Sequence, residues 1–333
     1  MYKPQLLRII GCIVGILRLF LASLVVLGHL GTNFFGLHQA VTAVIVFYLL
    51  AGHVVGLLWV KSPETEPMKR ALWFYKDRIL RILPLYLAVL IFSTILWACG
   101  AQSIFLSAPA SPFGWFANLS VIPLNYYMFN GVDQFTLIPP AWSLGVELQF
   151  YLLIPLLLTA HWRAILFAGI SFLIYIAAQL GILNADFYGY RLLAGVGCIF
   201  LLGVLLGRRE LRAKGCVAGA WLCSAGYTIF LVMKGNPVAF NLDVSIGITI
   251  GIPLIVAFLR FPRSGMLGLV QQRAGEISYG LFLLHFPMLW LIQLAGYEGR
   301  FLTIIVIVTS CSLAWVLHLL VERPLWARLR PFI

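Results

Sequence analysis

An all-α membrane bundle of about ten spanning helices is the fold class that three features of this sequence predict. Hydrophobic residues make up 62% of the 333 and charged residues only 10%, with a mean hydropathy of +0.99, far from soluble domains. The apolar residues fall into runs of roughly 20, the length that crosses a hydrocarbon layer. Basic residues gather at alternate ends of those runs, as they do beside a cytoplasmic surface.

Taken in order, the spans are read at 10–30, 39–60, 82–99, 142–160, 164–183, 188–207, 216–233, 242–260, 276–295 and 301–321. No small-residue cleavage site follows the first run, so it is expected to be a retained helix and not a removed signal peptide. The second run contains His53, and the connection after it carries six basic residues from Lys61 to Arg81. The longest connection, 100–141, has no Lys or Arg and is rich in aromatics such as Trp115, Phe116, Tyr126, Tyr127 and Phe129. It reads either as an interfacial belt or as a lid dipping back into the protein. Later connections are short, with no repeat or linker, so residues 1–333 are expected to form one membrane domain.

Net charge is +12, and its placement is informative. With the N-terminus in the cytoplasm, twenty of the twenty-three basic residues fall on that side, leaving Arg191, Lys234 and Arg300 opposite. Both termini are then cytoplasmic. No basic run interleaved with exposed aromatics suggests a nucleic-acid surface. The six cysteines (Cys12, Cys99, Cys198, Cys216, Cys223, Cys311) lack a C-x-x-C pattern and read as small core residues, so no metal is expected.

Ionisable groups inside apolar runs cost about 2 to 3.5 kcal/mol each on insertion scales, so they default to function. Arg18 and His29 are eleven residues apart, which on a helix aims both the same way about 16 Å apart. The plainer reading is an arginine reaching for headgroups and a histidine bonded within the bundle. Arg78 and Arg81, one turn apart, form a bidentate fork for phosphate or a positive-inside anchor. Ser143, Glu147 and Tyr151 recur every four residues as one polar stripe. Glu147 is either a pin between helices or a group that orients His29 or an acceptor, and Ser143 can simply bond its own backbone. Ser278 and His285 share a face, as do His318 and Glu322. His53 and His318 read equally well as satisfied core histidines, while His38 and His161 lie near surfaces.

These landmarks, in this order, resemble the acyltransferase 3 family of integral-membrane acyltransferases, which includes O-antigen and exopolysaccharide O-acetylases. The resemblance rests on the Arg18 to His29 spacing, the stretch Phe47-Tyr48-Leu49-Leu50-Ala51-Gly52, and Arg78-x-x-Arg81-x-x-Pro84-x-Tyr86. It continues through Trp142-Ser143-Leu144-x-x-Glu147-x-x-Phe150-Tyr151, the segment from Arg191 to Phe200 and Gly203, Ile277-Ser278-Tyr279-x-x-Phe282-Leu283-x-His285-Phe286-Pro287, and Val321-Glu322-x-Pro324. It covers about residues 8–326. Where many members have Ser-Gly in the second span, Ala51-Gly52 stands here, so a hydroxyl role is lost.

The resemblance implies transfer of an acyl group, usually acetyl from cytoplasmic acetyl-CoA, to a hydroxyl of a cell-surface or lipid-linked glycan at a bacterial inner membrane. Arg18, Arg78 and Arg81 would bind the donor, and His29 would act as general base or as acyl acceptor, with Glu147 assisting. Trp142, Ser143, Tyr151, Tyr279 and His285 are candidates for the acceptor pocket. No C-terminal esterase-like domain of the kind fused members carry is expected, so transfer is direct or passes through a separate glycan-assembly partner. The rival class is a transporter or flippase for lipid-linked glycans, which many spans and sparse internal charges also describe, though no repeated halves are visible. A non-catalytic scaffold gives no reason for aligning Arg18 with His29.

Overall fold

Apolar segments in lipid must satisfy their main-chain groups internally, and among the described residues each run read as a span holds a helix. The computed structural model describes residues 14–235, 238–260 and 264–329. Lys3, Arg8, Cys12, Arg263 and Arg330, the chain termini and the start of the first span lie outside the described residues. The helices are α1 (Gly15–His29), α2 (Gln39–Val60), α3 (Pro67–Ala98), α4 (Pro112–Ser120), α5 (Ala141–Thr159), α6 (His161–Gln179), α7 (Leu193–Leu206), α8 (Leu211–Lys234), α9 (Asn241–Leu259), α10 (Gly265–Leu294), α11 (Leu302–Leu317) and α12 (Arg323–Leu329). Among the described residues nine helical segments are long and apolar enough to cross a membrane, and α1 is a shorter apolar helix beside them.

Hydropathy misplaces two starts. Helices α3 and α10 begin at Pro67 and Gly265, well before the apolar runs at 82 and 276. The added turns of α3 are amphipathic, burying Trp73, Phe74 and Asp77 while Lys69 and Lys76 stay exposed. Arg70 fastens them by donating to the Trp59 carbonyl at the end of α2 and lying 4.4 Å over the Trp59 ring. The helix outruns the hydrocarbon because protein, not lipid, covers its face.

Helix α2 is the axis of the bundle. It is apolar all round and buried over 78% of its spanning window, whereas α8 is buried over only 6% and therefore turns its apolar surface to lipid. Contact with α7 is at backbone distance. A Cβ on Gly52 would stand 1.9 Å from the Phe200 carbonyl oxygen, and one on Gly203 would stand 2.1 Å from that of Leu49. Small residues at such crossings let helices gain dispersion contact where lipid removes the hydrophobic drive.

Helices α1 and α10 run side by side in parallel. Ile16 donates its N–H to Gln271 at 3.0 Å, and His29 meets His285 at 2.9 Å near the far ends of both helices. The 100–141 connection is folded onto the end of the bundle remote from Lys61–Lys76. Its anchor is buried Asn118, which donates to the carbonyls of Gly114 and Phe135 and accepts from the Leu137 N–H, each at 2.9 Å, while Tyr86 donates to the Asn118 carbonyl. Phe113, Phe116 and Phe129 remain exposed on the outer side of this segment, so it joins features of both sequence readings. Among the described cysteines Cys99, Cys216 and Cys223 are exposed, so they are not core residues, while Cys198 and Cys311 are half-buried and pack against the core.

Candidate active site

At the end of the bundle rich in basic residues, α1, α2, α3, α5, α10 and α12 surround a cavity of about 240 Å³. Its charged lining comprises Arg18, Arg78, Arg81, Arg273 and Arg323 with Asp77, Glu147 and Glu276. Both arginines of the expected fork already meet a carboxylate. Arg78 pairs with its neighbour Asp77 at 2.5 Å and Arg81 with Glu322 at 3.4 Å, both carboxylates being almost fully buried. Buried acids would be costly alone, and each arginine offsets one of them. Arg81 also lies over the rings of Trp326 and Tyr279, at 5.2 and 5.9 Å, and Arg78 lies 5.6 Å from the Tyr151 ring.

Arg18 is placed differently. Among the described residues no carboxylate comes within 4.0 Å of its guanidinium, and Glu147 acts on it only at longer range. Half-buried on α1, it lines both the large cavity and a smaller one of about 60 Å³ beyond it. Phe47, Leu144, Glu147 and Tyr279 line both cavities as well. The expected stripe on α5 is therefore real: Tyr151 faces the large cavity, Glu147 both, and Ser143 the small one. Tyr151 donates its hydroxyl to Glu147. Ser143 bonds the Pro140 carbonyl at 3.1 Å.

The small cavity ends at aromatic side chains. Phe47 and Phe282 both line it and meet edge to face at 6.4 Å, and the Phe282 ring stands 6.4 Å from that of His285. His29 lines neither cavity. It is the last residue of α1, exposed at the end of the bundle opposite the arginines, with its Nδ1 2.9 Å from Nε2 of fully buried His285. Phe286 packs beside both rings, at 5.3 and 4.9 Å.

The acyltransferase domain profile of the acyltransferase 3 family matches residues 14–319, nearly the whole described chain. The chain belongs to that family. It is 32% identical over 194 residues to an uncharacterized protein of Aquifex aeolicus (strain VF5), spanning 56% of this chain and 86% of that one. It is 24% identical to the protein named "Putative peptidoglycan O-acetyltransferase YrhL" of Bacillus subtilis (strain 168), over 97% of this chain and 56% of the longer relative. No solved structure matches significantly.

Within this acyltransferase 3 scaffold three sequence readings change. Trp142 lines neither of these two cavities: it lies 4.7 Å from the Arg191 guanidinium, which Tyr190 and Tyr127 also flank and Asp186 holds at 2.9 Å. His285 is a partner of His29 instead of a pocket wall. His53 is buried with neither ring nitrogen hydrogen-bonded among the described residues, so it is not a satisfied core histidine. His318 is satisfied, bonding Glu322 at 2.8 Å across a π-turn, His318–Glu322. Its role in the cavity, with Glu276 3.8 Å away, escaped the sequence because an i,i+4 His–Glu pair is common. Asp77, Glu276 and Glu322 carried the same signal as Arg18, an acid beside or within an apolar run, and could have been found by it.

Proposed function

We propose that this protein is an O-acyltransferase that takes an acyl group, acetyl in the simplest case, from acyl-CoA on the cytoplasmic side of a bacterial inner membrane. The acceptor is a hydroxyl of a cell-surface or lipid-linked glycan. The observation that carries this reading is that one helix holds an arginine with no close carboxylate in a charged cavity at one end and an exposed, hydrogen-bonded imidazole at the other. Similarity to a protein named as a peptidoglycan O-acetyltransferase supports the acetyl group and the polysaccharide acceptor. Crowding of basic residues at the cavity end supports its placement in the cytoplasm.

A cavity of about 240 Å³ is slightly below the range of about 300–1,000 Å³ usual for whole ligands. It suits the slender arm of the donor, with the nucleotide held at the mouth near exposed Arg323 and half-exposed Arg273. Arg18 faces the phosphates or the thioester as that arm advances, while Arg78 and Arg81 contribute charge from positions fixed by Asp77 and Glu322. For the thioester to reach His29 the Phe47–Phe282 pair must part. The acceptor approaches from the opposite end, where His29 is exposed. In direct transfer His29 takes the hydroxyl proton, the oxygen attacks the thioester carbon, the C–S bond breaks and the thiolate leaves and is protonated. In the covalent route the imidazole first forms the acyl bond, releasing CoA, and then passes the acyl group to the hydroxyl.

The test is incubation of the purified protein with labelled acetyl-CoA and a panel of lipid-linked and free glycans, followed by mass analysis. Label on a glycan with release of CoA supports the reading, and failure with acetyl, succinyl and longer donors across the panel overturns it. Arg18→Gln should weaken donor binding about 10- to 100-fold, the worth of one charge-assisted hydrogen bond, with unchanged assembly. Unchanged CoA affinity would remove Arg18 from the donor site. Arg81→Ala should instead cost stability as well, about 1–3 kcal/mol, because it leaves buried Glu322 with His318 alone; a thermal midpoint equal to the parent's would refute that pairing.

A further inference from the structure

His285 lies completely buried in α10, with its Nε2 against Nδ1 of His29 and its own Nδ1 without a hydrogen-bond partner among the described residues. The two rings are within 16° of coplanar, with centroids 5.2 Å apart for a 2.9 Å nitrogen separation. Such values describe rings that meet end on, which is the geometry of an in-plane hydrogen bond. A neutral imidazole owns one N–H and one lone pair, so a single hydrogen lies between the rings and either residue can own it.

The surroundings of His285 decide the owner. The main-chain carbonyls of Leu281 and Phe282, one turn earlier in α10, act on the His285 ring as acceptors, and with Nε2 turned to His29 the nitrogen left to face them is Nδ1. If His285 donated from Nε2, a bare Nδ1 lone pair would face those carbonyl oxygens where water is excluded, leaving a buried acceptor against acceptors. If His29 donates from Nδ1, the hydrogen of His285 sits on its own Nδ1 and points at the carbonyls, whose second lone pairs can receive it in a weak shared bond. The second arrangement has the lower cost. It leaves the free lone pair of the couple on Nε2 of His29, the ring exposed at the acceptor end.

We propose that His285 is a positioning residue that holds His29 in its Nδ1–H tautomer, so that Nε2 of His29 is the atom that accepts a proton or an acyl group. The tautomer follows from the geometry alone, and its catalytic use rests on the function proposed above. Phe286, packed beside both rings, keeps them in line.

The experiment is ¹⁵N spectroscopy of histidine-labelled full-length protein at mildly alkaline pH, where imidazoles are neutral, with the His29 signals identified by their loss in His29→Asn. The expected result is a protonated, pyrrole-type Nδ1 and a pyridine-type Nε2 on His29. His285→Leu should lose that preference and lower kcat about 100-fold with the acceptor KM little changed. His285→Gln, whose amide oxygen can accept from Nδ1–H, should keep the tautomer and recover most of the rate. A pyridine-type Nδ1 on His29 in the parent protein overturns the proposal, and so does a His285→Gln variant as slow as His285→Leu. If the parent shows the tautomer but transfers no acyl group to any acceptor, the functional reading fails and the positioning stands.

Discussion

His29→Ala is expected to abolish acyl transfer, lowering the rate by at least about 1,000-fold, the upper range for loss of a general base, while the protein still inserts and purifies as a single species. His29 is the last residue of α1 and exposed, so its removal opens no core cavity. The loss falls on His285, whose Nε2 forfeits its partner, at a cost of about 1–3 kcal/mol for a buried unpaired group. A thermal midpoint a few degrees lower with no turnover is therefore the expected pair of readings. Near-normal turnover would remove His29 from the chemistry. The two chemical routes separate in the parent protein: rapid quenching with donor but no acceptor traps an acyl group on His29 if the route is covalent and finds none there if transfer is direct.

A comparable loss, of stability and not of chemistry, should follow Gly52→Val or Gly203→Val. Each glycine stands where its own Cβ would overlap a carbonyl oxygen of the facing helix, at 1.9 and 2.1 Å, so α2 and α7 must separate to admit any side chain. Overpacking of a tight core costs about 1–3 kcal/mol and more when backbone must move, and here the backbone of the central helix moves. The expected outcome is aggregated or unrecoverable protein. Gly226→Ala is the matched control: on α8 nothing lies within 4 Å of the added carbon, and the helix gains from the lost flexibility, about 0.5–1 kcal/mol. Equal thermal midpoints for Gly52→Val and Gly226→Ala would show that the α2–α7 contact is looser than described.

Local periodicity made much of the site legible. A spacing of eleven aimed Arg18 and His29 the same way along α1; Arg18 lines both cavities, whereas His29 lines neither and meets α10 through His285. A spacing of four put Ser143, Glu147 and Tyr151 on one wall, and both cavities are built against it. Trp142, adjacent to that stripe, lies off it because a neighbour in sequence points about 100° away on a helix, here toward Arg191. The carboxylate partners of the Arg78–Arg81 fork differ in how far along the chain they lie. Asp77 is next to Arg78 and was in view, but Glu322, which occupies Arg81, lies 241 residues further along the chain.

What the sequence determined alone is therefore what depends on the solvent and on one helix at a time: that the chain is a membrane bundle, where most of its spans lie, and which side chains on a given helix share a face. Hydropathy and the 3.6-residue repeat are properties of short segments, so they survive without knowledge of any partner. Only the tertiary structure decided which charges are neutralised, which arginine lacks a close carboxylate, that His285 and not Glu147 bonds to His29, and that Phe47 and Phe282 stand between the cavities and the imidazole. Arg81 with Glu322, His29 with His285 and Phe47 with Phe282 are pairings between residues more than 200 positions apart, and no repeat within a single segment encodes them.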